Sequence, residues 1–413
     1  MSHPLTYGTD EFKFDIAQPA GGSYAPGDTI IGHLVRTIPI DTPNATITLS
    51  FIGRSSVVIT QTRQNKGRNH YDQSRLVNRE YVVFEGLLHL PEGSEDSLTW
   101  PISVTIPLEP EESSRRYRDP ECSLIPLKLP NHPDHHILPG SFRSADDSCG
   151  SCSSTCFVDY YLIANLRYHQ GGQRETFETR HQITLRHPII DTSKLGISAV
   201  LKNERVVQTQ RLHPGIENAD LSLKDHMQKL FHSSKVPSFK YALHLTVPTA
   251  IQLNSLNPIP LQLEIIPLSE GMSESLKNTS QNIQITGIRM ILKPSTRCIT
   301  PGLTKPHSND YQTKHDLGLQ DAFSNLESPL LINMGKGNES MHIGNMFQMM
   351  LTRNGLQCVG QRIKRPILDI WPDFNTYNIG HHNDVEYAVS LVVGGEKVEH
   401  KFYQVRTQII PPA

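Results

Sequence analysis

Long apolar runs are missing from this chain, and nothing in it approaches the roughly 20 consecutive apolar residues of a membrane-spanning helix. Cysteine is scarce, six in 413 residues, which sets aside the disulfide-dense scaffolds of small secreted domains. Met1–Glu11 lacks the basic and apolar regions of a secretory leader, so a cytoplasmic location is expected. An excess of one charge is lacking too. A net charge of −2 provides no global field toward nucleic acid or an anionic membrane, and nucleic acid is not expected as a partner. Catalytic signatures are also absent: there is no His-Glu-x-x-His zinc pattern, no Walker loop, no dinucleotide fingerprint and no Gly-x-Ser-x-Gly elbow. The expectation is a protein that is not an enzyme, with no cofactor and no metal site assigned.

What the chain does contain is a folded composition, 37% apolar and 19% charged, over a length that suits two domains. From Phe12 to about His187 it repeats short runs of alternating or β-branched apolar residues bounded by Gly, Pro, Asn or Asp. These predict strands at Phe12–Ile16, Thr29–Arg36, Ala45–Ile52, Ser56–Thr60, Glu80–Leu90, Leu98–Ile106, Phe157–Tyr168 and Thr176–Arg186. Within Ala45–Ile52, Ile47, Leu49 and Phe51 share one face while Thr46, Thr48 and Ser50 share the other. Successive strands without helices between them imply antiparallel pairing, because parallel crossovers need long connections.

The pattern changes between about Pro188 and Pro237. There Leu195–Leu212 reads as one extended segment and Asp220–His232 as a short amphipathic helix. It resumes with Phe239–Val247, Ile259–Ile266, Asn282–Leu292, Met341–Leu351, Val385–Val393 and Lys397–Ile410. Gly394-Gly395, between the last two, suits a tight hairpin turn. The expected organisation is thus an N-terminal β-domain over 1–187, a linker with one short helix over 188–237, and a C-terminal β-domain over 238–413. Gln61–Arg79, Glu109–Ser154 and Ser295–Asn325 read as long loop insertions outside the core.

Two features bear on binding. Arg63, Lys66, Arg68, Arg75 and Arg79 concentrate in the first insertion, where Arg forks suit phosphorylated tails or anionic lipid, although a solvated loop gives the same composition. Lys13, between Phe12 and Phe14, falls on the outward face of the first strand, as a partner contact or as an edge charge that discourages aggregation. Separately, Cys149, Cys152 and Cys156, downstream of His132, His135 and His136, offer zinc-ligand chemistry, thiol redox chemistry or incidental thiols.

Tyr24-Ala-Pro-Gly-Asp-Thr-Ile-Ile-Gly32 resembles the arrestin-family N-terminal domain, in which a Tyr-x-Pro-Gly turn leads into a Gly-containing strand. In the same order, Leu49-Ser-Phe-Ile-Gly53 and Asp159-Tyr-Tyr-Leu-Ile-Ala164 resemble later strands of that domain. Lys235-Val-Pro-Ser-Phe239 and Pro372-Asp-Phe-Asn-Thr-Tyr-Asn-Ile379 resemble segments of fungal alpha-type arrestins. The resemblance implies two successive arrestin-type, immunoglobulin-like antiparallel β-sandwiches with long loop insertions. It also implies a non-catalytic adaptor that binds integral membrane protein cargo in endocytic trafficking or ubiquitin-dependent sorting, at or near the plasma membrane or endosomes, with peripheral membrane contact. A structural subunit of a trafficking coat with the same double sandwich is the alternative. Alpha-type arrestins recruit a HECT-class ubiquitin ligase through Pro-Pro-x-Tyr motifs, and this chain contains no such motif.

Overall fold

Alternation of buried and exposed side chains along nearly every segment makes this an all-β protein, and most of the strand pairs among its described residues are antiparallel. The computed structural model describes residues 11–19, 21–63, 66–111, 122–125, 137–146, 152–170, 173–188, 198–213, 215–216, 236–277, 279–334, 340–360 and 369–412, without the side chains of Arg63, Lys66 and Gln404. The amphipathic segment Asp220–His232, together with Cys149, His132, His135 and His136, lies outside the described residues. Two compact units emerge. The first comprises Met1–Pro188, Thr296–Tyr311 and Phe374–His381; the second comprises Ile189–Ser295, Gln312–Asp373 and His382–Ala413.

In the first unit, β1 (Phe12–Ile16), β2 (Thr29–Arg36) and β5 (Leu98–Thr105) form a three-stranded sheet in the order β1-β2-β5. The larger sheet contains β3 (Ile40–Arg63), β4 (Lys66–Leu90), β6 (Phe142–Ala145), β7 (Cys152–Gln170) and β8 (Gln173–Ile183), ordered β4-β3-β7 with β6 and β8 both pairing β7. Its inner face carries Ile47, Leu49, Phe51, Ile59, Tyr160 and Leu162, all at most 1% exposed. Each such side chain contributes about 1.5–3 kcal/mol of burial. The two sheets meet through Phe14 against His181, Phe84 against Trp100, and the buried Arg36 guanidinium 4.7 Å from the Phe177 ring. The Tyr24-Ala-Pro-Gly27 turn is as the sequence indicates, with Gly27 at φ 93° and Asp28 N–H donating to the Ala25 carbonyl at 3.0 Å.

Gln61–Arg79 differs from its reading as a loop. The β3–β4 ladder continues without a gap in pairing to Arg63↔Lys66, so the segment is the far end of one long hairpin. Toward the tip the inner face of β4 is polar, at His70, Asp72 and Ser74, and the two later pieces of the first unit supply polar partners there. Asn378 Nδ2 donates to Asp72 at 2.8 Å, Ser55 Oγ donates to Asn378 Oδ1 at 2.6 Å, and the His307 ring stacks on His70 at 3.6 Å. The Glu109–Ser154 insertion also contributes to the core, because Leu138 and Phe142 are buried and Phe142 meets Phe374 edge-on at 4.8 Å.

The second unit builds on β9 (Ser198–Gln208), β10 (Ser238–Pro248), β11 (Ala250–Gln252), β12 (Gln262–Pro267) and β13 (Asn282–Thr300, of which Asn282–Ser295 belongs here). Ser295–Asn325 is not a plain loop: it supplies the end of β13 and nearly all of β14 (His307–Gln312) to the first unit, and β15 (His315–Asp316) and the short helix Leu319–Ser324 to the second. After these the second unit continues with β16 (Leu330–Asn333), β17 (Ser340–His342), β18 (Met349–Thr352) and β19 (Gly355–Cys358); β20 (Phe374–Asn375) and the start of β21 (Ile379–Val393) belong to the first unit, and the rest of β21, β22 (Glu396–Arg406) and β23 (Gln408–Ile410) to the second. One sheet runs β17-β12-β10-β9. The expected strand Met341–Leu351 is interrupted by the helical turn Ile343–Met346, which buries Ile343. A side chain at Gly344 would collide with the Ile259 carbonyl, so only glycine lets that turn pack. Gly394 and Gly395, at φ 52° and 75°, close the β21–β22 hairpin with both central residues left-handed.

Candidate functional site

The outer face of the five-stranded sheet is set by register. Residues directly opposite on paired strands share a face, so each ladder position extends into a row across the sheet. One row runs Arg75, Arg54, Asp159; the next toward the hairpin tip runs Gln73, Ser56, Phe157, Arg143; and beyond it lie Tyr71, Val58 and Thr155. On the other side come Asn78, Ile52, Tyr161, Gln182 and then Glu80, Ser50, Ile163, Arg180. Aromatic, aliphatic and guanidinium groups therefore interleave over a continuous surface.

Arg54 is its organising residue. Nε and Nη2 donate to the two carboxylate oxygens of Asp159 at 2.8 and 3.0 Å, a two-pronged contact. The same guanidinium lies 5.4 Å from the Phe157 ring centre and 5.2 Å from that of Tyr161. The hydrogen bonds to Asp159 push the Arg54 pKa up. Arg75 sits directly opposite Arg54, a like-charge pair that Asp159 offsets. Burial raises the Tyr161 phenol, with Arg54, Arg180 and Arg75 opposing that shift, so three cations act on one ring. Tyr71 at 68% and Val82 at 62% are the large, openly exposed members of this face.

The residues singled out in the sequence fall in several places. Arg63 and Lys66 pair across the hairpin end. Arg68 is opposite Gln61, on the face that also carries His70, whereas Arg75 is on the outer face. Arg79 is opposite Phe51 and its Nε lies 3.7 Å from Glu111. At roughly 3.3 Å per residue these positions are strung along the strands and do not fall together. Lys13 is exposed on β1, in the other sheet, opposite Val35.

No protein-family model matches the chain, and no curated protein does either. The site therefore rests on geometry. Among the described residues no group of three or more His, Cys, Asp or Glu is placed to hold a metal ion, and no helix is long and apolar enough to cross a membrane. Cys152 and Cys156 lie on β7, with Cys156 fully buried. Arg54, Asp159, Tyr161 and Phe157 were not candidates from sequence. Their outward parity was readable once Ile47, Leu49 and Phe51 defined the inner face, but Arg54 fell between two segments read as separate strands.

Proposed function

We propose that this chain is a non-catalytic, arrestin-type adaptor, built as two successive β-sandwiches, that binds integral membrane protein cargo from the cytoplasm in endocytic or ubiquitin-dependent sorting. The observation that carries the reading is the Tyr71, Tyr161, Arg54 and Arg75 face. Tyr and Arg dominate the energetics of protein interfaces because each combines a large rigid surface with directional donors. The Asp159 clamp supports that role by fixing the Arg54 fork before any partner arrives, which lowers the ordering cost of binding. The ordered arrestin resemblances in both halves supply the choice of cargo class. The chain has no Pro-Pro-x-Tyr motif, so any recruitment of a HECT-class ligase would have to run through another surface or through the partner; membrane contact in this reading is peripheral.

Proximity labelling in the native cell with the full chain as bait tests the proposal. Enrichment of a varied set of integral membrane proteins is expected. One constant, stoichiometric set of coat subunits would overturn the adaptor reading in favour of a structural coat component.

A further inference from the structure

Two thiols meet inside the first unit. Cys156, on β7, and Cys298, near the end of β13, are both fully buried, both unoxidised, and near enough to influence each other's ionisation. They come from distant parts of the chain. Cys156 is held in the five-stranded sheet by register with Val57 and Ser144, while Cys298 belongs to the Thr296–Tyr311 piece. That piece is anchored beside the thiols by Asn309, whose Nδ2 lies 2.9 Å from Asp146 Oδ2 and 3.0 Å from Ser154 Oγ. Tyr311 contributes a hydroxyl 3.7 Å from Cys156 Sγ.

We propose that Cys156 and Cys298 form a reversible redox pair, oxidised by small hydroperoxides to a disulfide that fastens Thr296–Tyr311 to β7. The Tyr311 hydroxyl, 3.7 Å from the Cys156 sulfur, can donate to its thiolate, which makes Cys156 the nucleophile of the pair. Its sulfur attacks one peroxide oxygen and the O–O bond breaks. The departing oxygen takes the thiol proton and leaves as water (or as the alcohol of an organic hydroperoxide), giving a sulfenic acid on Cys156. The Cys298 sulfur then attacks the Cys156 sulfur. The S–S bond forms as the S–O bond breaks, and the hydroxyl leaves with the Cys298 proton as a second water. Two thiols lose two electrons and two protons, and one peroxide gains both. Burial selects the oxidant: hydrogen peroxide is scarcely larger than water, whereas bulky thiol reagents are shut out.

The full chain is treated with hydrogen peroxide, unfolded, blocked with iodoacetamide and digested without reductant. The expected product is a peptide pair joined through Cys156 and Cys298, two hydrogens lighter than the separate peptides and released by dithiothreitol. Hydrogen exchange at Thr296–Tyr311 in the oxidised chain is expected to slow by about tenfold or more and to recover on reduction, because the cross-link removes open states. In Cys298→Ser the sulfenic acid has no resolving thiol, and a cyclic 1,3-dione present while the treated chain is unfolded is expected to trap it on Cys156. Recovery of both residues as alkylated thiols, or as separate sulfinic acids, from peroxide-treated wild-type protein would overturn the proposal without reliance on any variant.

Discussion

In the second unit His400 is fully buried between two fixed partners. Its Nδ1 faces Asn203 Oδ1 at 3.1 Å and must donate there, which leaves Nε2 to accept from the Tyr241 hydroxyl at 2.9 Å. Burial, aided by Arg205, brings its pKa down to about 4. Asp373 shifts the other way, to about 6: burial outweighs the donors Asn383 at 2.6 Å and Ile409 N–H at 3.1 Å, and Arg406 Nη2 lies 3.1 Å from Oδ2 but off the hydrogen-bonding direction. The signs are opposite. The His400 contribution is complete above pH 6.5 and is lost as pH falls toward 4, because the unfolded imidazole takes a proton that the folded one refuses. Asp373 binds its proton more readily when folded, so its penalty is relieved as pH falls from about 6 toward 3.8. Each effect is worth about 3 kcal/mol, and together they nearly cancel. His315, also lowered by burial, adds a smaller loss on acidification. Trp371 reports on this unit and Trp100 on the other. In a Trp100→Phe background, Asp373→Asn is expected to cost about 3 kcal/mol of urea-unfolding stability between pH 7 and pH 4, and His400→Gln to gain a similar amount. Parallel pH profiles for the two variants would refute the assignment.

Elements show where sequence and structure agree and why they part. β1 and β2 match their expected spans to the residue, because clean alternation is bounded by turn residues. Their pairing also explains a motif glycine. Gly32 stands opposite Ile16, where a side chain would meet the Asp15 carbonyl oxygen and lie 2.9 Å from Ile16 Cα, backbone atoms that cannot rotate away. Gly32→Ala is therefore expected to destabilise the first unit by about 1–3 kcal/mol, read from Trp100 fluorescence in a Trp371→Phe background. An unchanged urea midpoint would contradict this close approach. The β4 side of the hairpin's far half was not legible for the opposite reason. Its inner face carries His70, Asp72 and Ser74 opposite Ile59, Val57 and Ser55, so no hydrophobic period marks that strand. What stabilises it there is contributed by the chain much later: Asn378 is 323 positions from Ser55, and no local pattern announces such a partner. Gly394-Gly395 was legible because a turn with two left-handed residues has few sequence solutions.

For the whole molecule, the strand reading gave an all-β chain, and the compact units add that the first is completed by Thr296–Tyr311 and Phe374–His381. That composition makes the β3–β7 sheet a framework pinned from its inner side, with Arg54, Tyr161, Tyr71 and Arg75 on its outer side. The basic residues noted in the sequence contributed Arg75 to this face, and the strand parity of Arg54 and Tyr161 contributed the rest. The most direct test repeats the proximity labelling with Tyr71→Ala combined with Arg75→Glu, two exposed positions whose replacement leaves the core intact. An adaptor that binds through this face is expected to lose at least about tenfold of its membrane-protein enrichment while its urea-unfolding free energy stays within about 0.5 kcal/mol of wild type. Undiminished enrichment of the same membrane proteins by the doubly substituted chain would contradict the account.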